Sequence, residues 1–133
     1  MLKYLAIYVV VAVTMLVIDM VWLRGIATAW YEEGIGHLMT PKPDLLAAGI
    51  FYLLYPLGLV IFSVLPNEDS TLLRSVGMGA LFGFFAYATY DLTNLATLRD
   101  WPLNVSLMDM AWGTLVSGLS VGAGKLCLDA LRR

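Results

Sequence analysis

Three aspartates stand where apolar chain is expected. Asp19, Asp91 and Asp109 lie within long hydrophobic runs, and a carboxylate at membrane depth costs roughly 2.5–3.5 kcal/mol on insertion scales. Each has an aromatic or amide neighbour three residues later: Trp22, Asn94 and Trp112. Residues three apart share a helix face, so each carboxylate has a partner beside it. Asp19-Met20-Val21-Trp22 echoes Asp109-Met110-Ala111-Trp112, although four residues are too few to prove a duplication. Tyr87, Asp91 and Asn94 follow at i, i+4 and i+7, one stripe of one helix. Carboxylates so placed can act as ligands or as proton acceptors, and buried apolar surroundings hold such a group only if something compensates its charge.

Other chemistries are missing from the chain. It has no H-E-x-x-H, no glycine-rich phosphate loop before a helix, no G-x-S-x-G and no cysteine cluster. His37 is the one histidine and Cys127 the one cysteine. No multi-histidine metal site, no intrachain disulfide and no cofactor is expected, and Cys127 reads as a buried, inert thiol. Ser106, Ser117 and Ser120 have no histidine at a plausible depth for nucleophilic chemistry. Eight Lys and Arg residues in all leave no basic patch for nucleic acid.

The elements that carry these residues are set by hydropathy. The chain has 133 residues, of which 60% are hydrophobic and only 14% charged, with mean hydropathy +0.80. One small core cannot hide that excess, because a small domain leaves much of its surface exposed. The bilayer is the expected solvent. Four runs are long enough to span hydrocarbon, at about 4–28, 45–65, 72–98 and 105–131, with the first helix running on to about Glu33. The fold class is therefore all-α: a polytopic membrane protein, a single four-helix transmembrane domain over 1–133. A cleaved signal peptide ending near Ala27-Thr28-Ala29 fits poorly, because the run is too long and contains Asp19. Pro56 lies inside the second span and removes the backbone bond to the Tyr52 carbonyl. Gly79 with Gly83, and Gly118 with Gly122, form small-xxx-small faces for close helix contact.

Four spans put both termini on one side. Lys3, Arg74, Lys125, Arg132 and Arg133 share that side, against Arg24, Lys42 and Arg99 on the other, which favours cytoplasmic termini. At 1.5 Å per residue, Asp19 lies about 22 Å and Asp91 about 28 Å along outward-running spans, and Asp109 about 6–8 Å into an inward-running one. Tyr52 falls about 10 Å in from the same face. The three carboxylates thus share one layer, in the outer third, with Trp22, Arg24, Arg99, Trp101 and Trp112. The inner two-thirds is nearly free of charge apart from Lys125, which can snorkel.

Two readings compete for that layer. In one, pairs such as Asp19–Arg24 and Asp91–Arg99 lock the helices, and the aromatics are an interfacial belt, with Trp30 and Tyr31 among them. In the other, the groups form a site, since they come from all four spans and three carboxylates face only two guanidiniums. The surplus negative charge then calls for a protonated aspartate or a bound cation.

The string Tyr90-Asp91-Leu92-Thr93-Asn94, followed by Thr97, Arg99, Trp101 and Pro102, resembles the signature of the bacterial predicted membrane proteins of domain-of-unknown-function family 2177. Asp19 with Trp22, Tyr31, the segment Gly49 to Pro56, and Asp109 with Trp112 and Gly113 also fit that family. The resemblance covers nearly the whole chain. It implies a four-helix protein of the bacterial inner membrane and carries no established activity.

The leading reading is a polar pocket near the outer leaflet that binds a small molecule or lipid headgroup, built from Asp19, Trp22, Arg24, Tyr52, Tyr87, Asp91, Asn94, Arg99, Trp101, Asp109 and Trp112. The carboxylates and Asn94 are its ligands or proton acceptors, the arginines orient them or hold an anionic group, and the tryptophans are its walls. The alternatives are a proton-coupled transporter working as a homo-oligomer, an enzyme of lipid modification using two carboxylates as acid and base, and a structural accessory subunit.

Overall fold

The computed structural model describes residues Met1–Arg133, and they fold as helices joined by short turns. Helix α1 spans Leu2–Val21 and widens into a π-helical turn at Trp22–Ile26. Ala27 breaks the winding, and α2 follows at Thr28–Ile35. Helix α3 spans Leu45–Leu59 and passes through a second π turn, Val60–Val64, into a 3-10 turn at Leu65–Asn67. Helix α4 spans Leu72–Thr97 and α5 spans Leu103–Leu131. Four of these segments are long and apolar enough to cross a membrane: Leu2–Ile26, Leu45–Asn67, Leu72–Thr97 and Leu103–Leu131.

The starts of two helices are written locally. Asp44 caps α3, accepting from the amides of Leu46 and Ala47 at 3.0 and 3.1 Å, and Thr71 caps α4 through the Arg74 amide. Each satisfies amides that have no partner within the first turn. Pro56 does not end α3. The helix continues to Leu59 before it widens. The carbonyl drawn into a side-chain bond there is that of Leu53, which takes the Tyr8 hydroxyl at 2.7 Å.

Helix α5 is the central one. Half of its spanning window is buried, against about a fifth for each of the others. It packs on α1 along one side and on α4 along the other, while α3 lies against α1 and its π turn against α4. The core runs through Ile7, Val11, Met15, Leu59, Val64, Val116 and Val121. The outer faces are as apolar as the inside: Leu53, Phe62, Phe85 and Leu107 each keep more than half of their surface outside the bundle. In water such a surface would be a large aggregation liability. In lipid it is the solvent-facing side, and the helices satisfy their own backbone.

The α4–α5 seam depends on glycine. A Cβ at Gly79 would meet Val121, one at Gly83 would meet Ser117 and the Gly113 carbonyl, and one at Gly113 would strike the Tyr87 ring. The two antiparallel helices therefore face each other in steps of four: Gly79 on Val121, Gly83 on Ser117, Tyr87 on Gly113. Gly118 and Gly122 sit in looser contact with Val76 and Ala80. The expected small-residue faces thus meet one another's helix, and Gly83 and Gly113 set the closest approach.

All three salt bridges lie at the end that holds the termini: Lys3–Glu68, Lys125–Asp129 and Arg132–Asp69. Lys125 does not snorkel. It is 1% exposed and its ammonium donates to Asp129 and to the Glu68 carbonyl, at 2.8 and 2.9 Å. With Asp129 on its own helix and the Glu68 carbonyl beyond the Leu65–Asn67 turn both accepting from it, the ammonium is satisfied where it is buried.

Candidate functional site

The register that seats Tyr87 on Gly113 brings Asp91 onto Asp109 one step further along. The two residues therefore stand opposite each other on the α4–α5 seam. Asp91 is fully buried, and neither of its carboxyl oxygens has a hydrogen-bond donor. Its backbone carbonyl accepts from Ser106 Oγ at 3.2 Å, and Ser106 Oγ in turn accepts from Trp101 Nε1 at 2.9 Å.

Asp109 is held from outside the spans. The π turn at the end of α1 and the break at Ala27 fold α2 back over α5. Tyr31 then donates to Asp109 Oδ1 at 2.8 Å and accepts from Trp22 Nε1 at 3.2 Å. Burial, and next the Asp109 carboxylate, hold the Tyr31 hydroxyl above the ordinary tyrosine range, so it stays a donor. The Trp22 ring stacks on Trp112 at 4.4 Å between centroids, with planes 6° apart. Trp112 Nε1 donates to Asp19 Oδ1 at 2.8 Å, and Tyr52 donates to Asp19 Oδ2. One connected set thus joins the three aspartates: Asp91 against Asp109, Asp109 to Tyr31 and Trp22, Trp22 on Trp112, and Trp112 to Asp19.

Beside this set opens a cavity of about 380 Å³. Asp19 and Leu23 come from α1 and its π turn, Tyr31 from α2, Phe51 and Tyr55 from α3, Ala86, Tyr87 and Tyr90 from α4, and Asp109 and Trp112 from α5. Six of these ten are aromatic. The rings hold one another: Phe51 stacks on Tyr55 at 5.4 Å, and Tyr55 meets Tyr87 edge to face at 6.0 Å. The Tyr55 hydroxyl is tied to Ser117 Oγ at 2.6 Å.

Of the residues expected at a site, Asp19, Tyr87, Asp109 and Trp112 line this cavity, while Trp22, Tyr52 and Asp91 stand directly behind its wall. The arginines do not join them. Arg24 and Arg99 are exposed and form no salt bridge, so the expected pairs Asp19–Arg24 and Asp91–Arg99 are absent. Arg24 lies on the π turn and Arg99 beyond the last turn of α4, where a guanidinium keeps its hydration. Tyrosine and tryptophan donors serve the aspartates without the desolvation cost of a buried cation. Trp101 is buried at the α4–α5 turn against Tyr90 and Ser106 rather than on the cavity. Asn94 is half-buried one turn beyond Asp91, outside the cavity wall. Leu23, Tyr31, Phe51, Tyr55, Ala86 and Tyr90 join the wall in addition to the expected residues. Tyr55 and Tyr90 each follow an expected residue, Tyr52 and Tyr87, by three positions, which is the signal that finds them.

The family described as predicted membrane protein, DUF2177, matches residues 4–126. The chain belongs to this family. No curated protein and no solved structure matches it. The DUF2177 match takes in every residue of the cavity and of the aspartate network, while Asp129 and Arg132, which close the salt bridges at the terminal end, lie beyond it.

Proposed function

We propose that this protein is a binding protein of the bacterial inner membrane, with cytoplasmic termini, whose aromatic cavity receives a small molecule or a lipid headgroup. The cavity of about 380 Å³ bounded by residues from all four spans carries this reading. Its size suits a small ligand, and its make-up is that of a ligand site: apolar and aromatic walls with few, well-placed polar groups. Asp19 and Asp109 fix the ligand's polar end, and the rings of Tyr55, Tyr87 and Trp112 cover its body. A purely structural role would be served by packing the same space with side chains, because empty volume between helices forfeits contact energy. The Lys and Arg asymmetry supports the orientation, which puts the cavity toward the outer leaflet.

Native mass spectrometry tests the reading. The protein is released gently from its membrane beside Ala86→Trp, which fills the cavity from a position on its wall. A bound species in the wild type that is missing from the variant is the expected result. Equal adducts on both, or none on the wild type, would overturn the proposal.

A further inference from the structure

We infer that the ligand is an organic cation with an apolar body, and that it displaces a proton held between Asp91 and Asp109. This rests on the ligand-binding reading above and names the chemical class. The first observation is the charge around the cavity. Asp19 and Asp109 line it, and no lysine, arginine or histidine does. Arg24, Arg99 and His37 are all exposed. The rest of the wall is largely aromatic, and ring faces carry negative potential that attracts cations, most strongly when desolvated. An anion would meet carboxylates and ring faces alike. A cation finds a carboxylate on α1, another on α5 and rings between them.

The second observation is Asp91. Asp19 has two donors, Tyr52 and Trp112, and Asp109 has one, Tyr31. Asp91 is buried with none at either oxygen. The groups facing it are Asp109 from α5, Tyr31 from α2 and Tyr90 on its own helix, and none is a cation. A buried carboxyl with no donor, set opposite a second carboxylate, is not held charged, and a single shared proton gives one of them a donor for the other. That proton is the compensation the sequence demanded and that no arginine supplies. A cation settling between Asp19 and Asp109 changes the balance. Its charge makes a second carboxylate tolerable, the shared O–H bond breaks, the electron pair stays on the carboxylate, and the proton leaves to water. No electrons are transferred.

The test uses the full chain in dodecyl maltoside micelles, which carry no charge. Benzyltrimethylammonium is titrated against its uncharged carbon isostere, neopentylbenzene, with tryptophan fluorescence as readout. Calorimetry in two buffers of different ionisation enthalpy counts protons. The cation is expected to bind about tenfold more tightly than the isostere and to release about one proton per site at neutral pH. Asp91→Asn, an isosteric change, should still bind the cation but release none. If Asp91→Asn does not fold, Asp109→Asn is the second variant: it removes one of the two carboxylates that hold the cation, so it should bind more weakly and release no proton. Displacement of the probe by dodecylphosphocholine would support a lipid headgroup as the source of the cation, and a lack of displacement would support a soluble amine. Equal binding of the isostere would overturn the cation assignment and leave the cavity reading intact. Cation binding without proton release would overturn the exchange. If neither probe binds, the cavity reading falls with the inference.

Discussion

Gly83→Ala probes how closely the two central helices must meet. A Cβ at Gly83 would stand 2.5 Å from Ser117 Cβ and nearer still to the Gly113 carbonyl oxygen and the Ser117 hydroxyl. Carbon atoms sit comfortably at about 3.5–4.0 Å, so α4 and α5 would have to part by about 1 Å. Ser117 could turn aside, but a backbone carbonyl cannot. Overpacking of this kind costs typically about 1–3 kcal/mol, and the upper end applies because the obstruction is main chain. Displacing Ser117 also loosens the Tyr55 hydroxyl bond, which adds about 1 kcal/mol. Gly77→Ala, on the same helix, is the matched control. Nothing lies within 4 Å of its added methyl, and removing a glycine from a helix interior stabilises by about 0.5–1 kcal/mol. The same gain applies at Gly83 and cancels in the comparison, so the two variants should differ by roughly 3–4 kcal/mol, of opposite sign relative to the wild type. Reversible unfolding in mixed micelles with increasing dodecyl sulfate, followed by circular dichroism, measures both. If Gly83→Ala unfolds at the same dodecyl sulfate fraction as Gly77→Ala, the seam is not close-packed and the Asp91–Asp109 approach loses its support.

Three further expectations use the same assay. Asp91→Asn should be at least as stable as the wild type and more stable than Asp91→Ala. Its amide can donate to Asp109, for about 1 kcal/mol, whereas alanine leaves space behind. Equal stability of the two variants would count against the contact. Trp112→Phe removes the bond to Asp19 and part of the stack on Trp22, and should cost about 2–3 kcal/mol; an unchanged midpoint would show that Asp19 does not depend on the indole. At the terminal end, Lys125→Met should be close to neutral, since a buried ion replaced by an apolar side chain of similar volume costs little, while Asp129→Ala should cost about 1–3 kcal/mol, because Asp129 is partly exposed and the Lys125 ammonium keeps the Glu68 carbonyl. The reverse order would mean that Lys125 is hydrated.

Much of the architecture is determined by sequence alone, and for a local reason. Crossing hydrocarbon requires a continuous apolar helix of a certain length, and each of the four runs meets that requirement by itself. Asp44 and Thr71 mark helix starts in the same local way. Asp19, Asp91 and Asp109 are also conspicuous without a structure, because a carboxylate in such a run is costly wherever its neighbours lie. Their partners are a different matter. Arginine is the obvious counter-charge by type, yet Tyr31, Tyr52 and Trp112 take that place, because a guanidinium beyond a helix end keeps its water while a phenol or indole loses little by burial. Tyr31 reads as an interfacial aromatic until the π turn at Trp22–Ile26 swings α2 over α5 and delivers it to a residue far along the chain. Asp91 meets Asp109 because Gly83 and Gly113 fix one register among the several that two small-residue faces allow. Register and helix re-entry depend on the summed packing of distant segments, so the carboxylate pair and the cavity beside it exist only at the level of the tertiary structure.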